Sequence, residues 1–437
     1  MRLLLLMRRT LPAIGAIALL SCGGGDSGGA NTAGLNPPTI LGLTYTPTVV
    51  YVNASGGQAI VTGGFTFNGA NGGVLSVTIS VTNAAGSVVA TTTTPVTGGA
   101  NVSSGQLQGQ VVVGTGTVGA YTVHATLTDM RGLVSNALTG PFQIAPSPWA
   151  LKTPMPTTRR SFATAKSGGL AYLIGGEVPV AGPLPGASLA LVEAYDPASD
   201  TWSSISPMPT ARRAAAAATV NGVIYVFGGS GGVDLLATVE AFDTTTGMWS
   251  TRAPMPTPRR AAAATAVGSV ICVFGGVGAT GDLATTECYD PTTDKWTGAL
   301  AAMPTMRDSL AAITVGATAY AIGGNNFVGG GTVGVGPVAA VESYDLASNT
   351  WATLTWFSTR RQGLGVVFVD NKVLAIGGEA ITPIATIEAY DFSRGFATFK
   401  TDMPLPLTSV GAVEIGGLVY VFEQEHTLSY TPALDIL

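Results

Sequence analysis

Residues 209–256 read PTARRAAAAATVNGVIYVFGGSGGVDLLATVEAFDTTTGMWSTRAPMP. A run of small residues, Ala214 to Ala218, is followed by the bulky run Val223-Ile224-Tyr225-Val226-Phe227, which stops at Gly228-Gly229. Phe242-Asp243, Trp249 and Pro254-Met255-Pro256 complete the stretch. β-branched and aromatic residues pack well on a pleated surface, so the bulky run predicts a strand. A glycine pair at its end predicts close backbone approach or positive φ.

The same signals return along the chain. Glycine pairs stand at Gly175-Gly176, Gly228-Gly229, Gly275-Gly276, Gly323-Gly324 and Gly377-Gly378, spaced by 53, 47, 48 and 54 residues. An aromatic residue followed by Asp recurs at Tyr195, Phe242, Tyr289, Tyr344 and Tyr390. Trp follows at Trp202, Trp249, Trp296 and Trp351, with Phe399 expected in the fifth place. Glycines, aromatic-Asp and Trp in this order and phase resemble kelch repeats, whose period is about 50 residues. The resemblance covers the chain from Trp149 onward and implies a β-propeller with one four-stranded blade per repeat.

The repeat makes physical sense as such a blade. The small-residue run suits an inner strand crowded by its neighbours, and the Trp strand is outermost. Thr408 to Tyr430 form a sixth, degenerate repeat with no Trp strand after it, while Trp149 to Pro156 form a Trp strand with no blade before it. The orphan strand fits the vacancy, and closure removes an exposed sheet edge. The expected fold is all-β: a six-bladed kelch β-propeller, residues 147–437, preceded by an Ig-like β-sandwich, residues 37–146. The sandwich rests on period-two runs such as Leu75 to Val81 and Tyr121 to Leu127, separated by Gly/Asn/Ser clusters. His124 on one of these runs is expected as a packed or half-exposed side chain.

Composition narrows the function classes. The chain has 437 residues, of which 10% are charged, against about 25% in ordinary soluble proteins. High apolar content with a net charge of −5 excludes disorder and a globally basic nucleic-acid binder. With His124 and His426 as the only histidines, no metal or cofactor is expected. No phosphate-loop motif is read, since Gly329-Gly330-Gly331 is not followed by Lys-Ser/Thr.

The beginning of the chain reads as an address. Arg8 and Arg9 precede the apolar stretch Leu11 to Leu20, of signal-peptide length, and Leu19-Leu20-Ser21-Cys22 follows. Residues 1–22 resemble a bacterial lipoprotein signal. The resemblance implies lipidation of Cys22, a flexible tether over residues 23–36, and a lipid-anchored protein of the cell envelope. Gly23 after the cysteine points to the outer membrane. Cys272 and Cys288 lie within one repeat and can face each other across adjacent strands, as a disulfide or as two small buried hydrophobes.

Charge is concentrated in one recurring turn. Arg159, Arg212, Arg259, Arg307 and Arg361 each lie sixteen residues before a glycine pair. The next position holds Arg160, Arg213, Arg260, Asp308, Gln362 and, in the sixth repeat, Thr408. This turn lies at the start of the inner strand, on the face where the loops Glu177–Val192 and Asn325–Val341 open. The reading is an Arg-lined channel mouth, with both sets of arginines as candidate ligand residues for an anionic protein or glycan. For the first set an internal, structural role is the favoured reading. Glu193, Glu240, Glu287, Glu342 and Glu388 accompany it, and the sixth repeat has Leu407 and Leu428 at the two places. Arginine and glutamate are lost together, which predicts that they pair. No catalytic residue is assigned. A sugar epimerase resembling the kelch sialate mutarotases is the enzymatic alternative, with Asp308 and Glu423 as charged groups, and a ligand-free structural envelope component is the third. The copper oxidases built on kelch blades need two histidine ligands, and only His426 lies in the repeats. A monomer is expected.

Overall fold

The computed structural model describes residues 36–52, 57–70, 72–180, 186–298, 300–326 and 336–435. The signal segment, Cys22, nearly all of the tether and the Gly329-Gly330-Gly331 run lie outside them. Apart from a 3₁₀ turn at Pro432–Leu434, the described elements are all β-strands. The chain divides into two units, Met1–Ser147 and Pro148–Leu437.

In the first unit, Thr39–Thr46, Gln58–Asn68 and Ser104–Gly114 form a three-stranded antiparallel sheet. A five-stranded sheet runs in the order Val49–Val52, Leu138–Pro146, Gly119–Asp129, Val74–Asn83, Val88–Pro95. Its first pair is parallel. Alternation along the strands sends Val77, Ile79, Val81, Val123 and Leu127 into one core with Val61, Phe65, Leu107 and Val111 of the other sheet. The opposite face of the longer strands carries hydroxyls, and His124 is half-buried there with Nε2 2.9 Å from Thr82 Oγ1.

The second unit contains, among the described residues, six four-stranded antiparallel sheets. Their innermost strands are Ala163–Ser167, Ala216–Val220, Ala263–Val267, Ala311–Val315, Gly365–Val369 and Gly411–Ile415. Each innermost strand packs on the next, and the sixth returns to the first. The last sheet is completed by Trp149–Leu151, which pairs with His426–Tyr430 and sets Trp149 opposite Tyr430 at a ring distance of 4.8 Å. An all-β chain of such repeats fits a β-propeller.

Two recurring contacts join neighbouring sheets. Gly228 has φ +59°, and a Cβ there would lie 2.4 Å from the Arg259 carbonyl of the next sheet, while Gly229 N–H donates to that carbonyl at 2.9 Å. The glycine pair therefore ends the strand where the adjacent backbone docks. On the outside, Trp202, Trp249, Trp296 and Trp351 stack on their aromatic-Asp partners. Each also donates its indole N–H to a carbonyl in the segment that follows the preceding outer strand.

The fifth sheet departs from the sequence expectation. Its register puts Ala397 opposite Tyr390, and Phe399, opposite Glu388, is 55% exposed. Trp356, from the connection entering this sheet, stacks on Tyr390 at 4.2 Å instead. The aromatic comes from a connection that the repeat pattern does not mark.

Candidate functional site

The arginines sixteen residues before the glycine pairs form a buried tier. Arg159, Arg212, Arg259, Arg307 and Arg361 are at most 1% exposed. Each pairs within its own sheet, with Glu193, Glu240, Glu287, Glu342 and Glu388 respectively. The Arg212–Glu240 and Arg259–Glu287 contacts, at 2.7 and 2.8 Å, are ion pairs off the hydrogen-bonding axis. Arg307–Glu342 and Arg361–Glu388 are also hydrogen-bonded. The guanidinium groups further tie down carbonyls at the strand ends, as Arg307 does for Gly323, Ala340 and Ala321. Burial pushes these guanidinium groups below their usual range, and the paired glutamates oppose that shift. These five residues were candidate ligand groups. The structure instead makes them internal struts, because a guanidinium with no exposed surface and a buried counter-ion has nothing to offer a ligand. In the sixth sheet Leu407 and Leu428 occupy the two places and share one apolar cluster.

The following position forms the surface tier. A backbone ring positions it: Ala214 N–H donates to Ser161 O, Ala261 to Ala214, Ser309 to Ala261, Gly363 to Ser309 and Val410 to Gly363. The donors and acceptors Ser161, Ala214, Ala261, Ser309 and Gly363 have φ between 50° and 59°, which favours small side chains over β-branched ones. Immediately before them, Arg160, Arg213, Arg260, Asp308 and Gln362 each make a bridge to the residue after a glycine pair: Glu177, Ser230, Val277, Asn325 and Glu379.

Glu177 organises the basic part of this mouth. It is 5% exposed and accepts from Arg160 Nε at 2.9 Å and Arg213 Nη1 at 2.7 Å, so one carboxylate serves two sheets. Arg213 also donates to Gly232 O. Arg260 is half-buried and has no ion-pair partner among the described residues. Across the ring lie Asp308, Gln362 with Glu379, and Glu423, whose carboxylate accepts from Thr408 N–H, Thr408 Oγ1 and Ser409 N–H. The mouth is thus a basic arc on the first three sheets facing an acidic arc on the other three, and not the uniform Arg ring that the repeat pattern predicts. The loops beside it carry exposed aliphatics: Val178, Val180, Val233 at 92% and Ile381 at 95%.

One feature was not singled out as a site from the sequence, and one pairing the sequence left open is resolved. A cavity of about 560 Å³ opens between the inner strands, toward the ends away from the arginine turns, and Lys166 pairs with Glu414 at its rim. Their separation of 248 positions leaves no local signal. In the third sheet, Cys272 and Cys288 are register partners with Cα atoms 4.0 Å apart, fully buried and joined as a disulfide.

Comparison with known proteins agrees with this architecture. Residues 161–378 match the family model described as the KLHDC2/KLHL20/DRC7 Kelch-repeats domain. Kelch-like protein 7 of Rattus norvegicus is 29% identical over 85 residues, 19% of this chain and 14% of that protein. Kelch repeat and BTB domain-containing protein 13 of Homo sapiens is 30% identical over 125 residues, 28% of this chain and 26% of that protein. The chain therefore spans about a quarter or less of the length of these relatives. The in-phase glycine pairs, the Trp-bearing outer strands and the matched family model together make this chain a kelch-repeat protein.

Proposed function

We propose that this chain is a six-bladed propeller that binds a protein through the basic arc of its mouth. On the same reading it is held at the cell envelope by a lipid on Cys22 and raised from the membrane by an Ig-like sandwich. The observation that carries the binding role is the cluster Arg160–Glu177–Arg213 with Arg260 beside it. Positive charge is concentrated there in a protein of net charge −5. Val178 and Val180 on the loop of the first sheet and Val233 on that of the second stand beside this cluster and supply apolar anchors, the combination that marks protein contacts. A protein ligand with an acidic segment fits this arrangement, because the described side chains that stand out on these loops, such as Val178, Val180 and Val233, are aliphatic. Six four-stranded sheets in a closed succession support the blade count, and the two facing sheets of the first unit support the Ig-like reading.

The test is a binding screen of the full chain against acidic peptides and acidic glycans at two salt concentrations. Salt-sensitive peptide binding that disappears in an R160A/R213A/R260A variant supports the reading. Glycan binding alone, or peptide binding indifferent to the three substitutions, refutes it.

A further inference from the structure

The cavity between the inner strands has no part in the mouth described above. Its volume of about 560 Å³ lies in the range of small-molecule sites, which are mostly apolar with a few converging polar groups. Its inner tier is apolar but for one hydroxyl: Thr164, Ala217, Ala264, Ala312, Val366 and Ala412 hold the second place of the six inner strands. Ala217 and Ala264 contribute methyl groups to its wall, and Phe368 an aromatic flank on the sheet next to Glu414.

The charged groups sit at the rim, in the fourth place of their strands. Lys166 Nζ lies 2.6 Å from Glu414 Oε2 and also donates to the Glu414 carbonyl at 2.9 Å. An ammonium has three donors, so one remains for a ligand. The other Glu414 oxygen accepts from Gly417 N–H. The Lys166 side chain is 55% exposed, and such surface pairs are weak enough to exchange partners at little cost. Thr219 holds the same level as Lys166 and Glu414, the fourth place of its inner strand, and its Oγ1 is buried without a hydrogen-bond partner among the described residues.

Opposite charges side by side above a methyl-lined interior select a ligand with the same layout. A simple anion meets Glu414 and a simple cation meets Lys166, whereas a zwitterion offers each of them a partner. We propose that this cavity binds a free amino acid with an apolar side chain. Its carboxylate lies against Lys166, its ammonium against Glu414, and its side chain enters the methyl-lined interior.

The experiment is titration calorimetry of the full chain with leucine and phenylalanine, beside leucinamide and N-acetyl-leucine, each of which lacks one of the two charges. The amino acids are expected to bind, and each derivative to bind at least about tenfold more weakly, a difference of about 1.4 kcal/mol. Lys166→Met removes the preference over leucinamide, and Glu414→Gln the preference over N-acetyl-leucine. Both substitutions lie at the rim, outside the packed core, so the fold survives them. R160A/R213A/R260A leaves amino-acid binding intact, which separates this site from the mouth. Absence of binding at millimolar amino acid, equal binding of the derivatives, or indifference to both rim substitutions overturns the proposal.

Discussion

Arg307 and Glu342 are the most deeply buried of the five pairs, with neither side chain exposed and Nη2 2.8 Å from Oε2. Glu342→Leu leaves a charged guanidinium without its counter-ion, a change that costs about 3–5 kcal/mol in buried pairs. Arg307→Leu strands the carboxylate and also releases the carbonyls of Gly323, Ala340 and Ala321, so its loss is at least as large. The double Leu variant removes both charges and reproduces what the sixth sheet already holds in Leu407 and Leu428. What remains is the desolvation of carbonyls that have lost a donor, about 1–3 kcal/mol each where no other donor reaches them. The double variant should therefore be far more stable than the sum of the single losses predicts, with a coupling of about 3 kcal/mol or more. Urea unfolding followed by tryptophan fluorescence measures all four proteins, and midpoints serve if the units unfold separately. Single losses that simply add in the double variant would refute the pairing argument, and so would a Glu342→Leu protein as stable as the parent.

Three further outcomes are expected. Replacing Cys272 and Cys288 together by Ser should lower stability by about 3 kcal/mol, the entropy scale for a closed loop of this length, and non-reducing peptide mapping should recover the linked pair from the parent protein. Trp356→Ala should cost about 3–5 kcal/mol because the ring is stacked on Tyr390, whereas Phe399→Ala, at an exposed position, should stay within about 1 kcal/mol; thermal midpoints of the two variants decide. Burial pushes the Glu388 carboxyl up, but donors from Ser358 and Thr359 and the charge of Arg361 outweigh it and hold the group below its usual value. A depressed carboxyl stabilises the fold above its unfolded-state pKa and loses that contribution as pH falls through its folded value, so Glu388→Gln should flatten the acid limb of a stability–pH profile.

The sequence alone determined the features whose signals are local and repeated. Strand-prone runs, glycine pairs and Trp strands recur in phase, and each reports on its own few residues. The joint loss of arginine and glutamate in the sixth repeat was legible as well, since two leucines stand where five other repeats carry charges. The tertiary structure decided the rest, because it depends on register and on neighbours distant in the chain. Ala397, not Phe399, faces Tyr390 because the pairing of the last two strands places it there, and Trp356 arrives from outside the repeat pattern. Glu177 is an ordinary loop residue until adjacent sheets bring Arg160 and Arg213 to one carboxylate. Only the closed succession of sheets sets Lys166 beside Glu414 and opens a cavity between the inner strands.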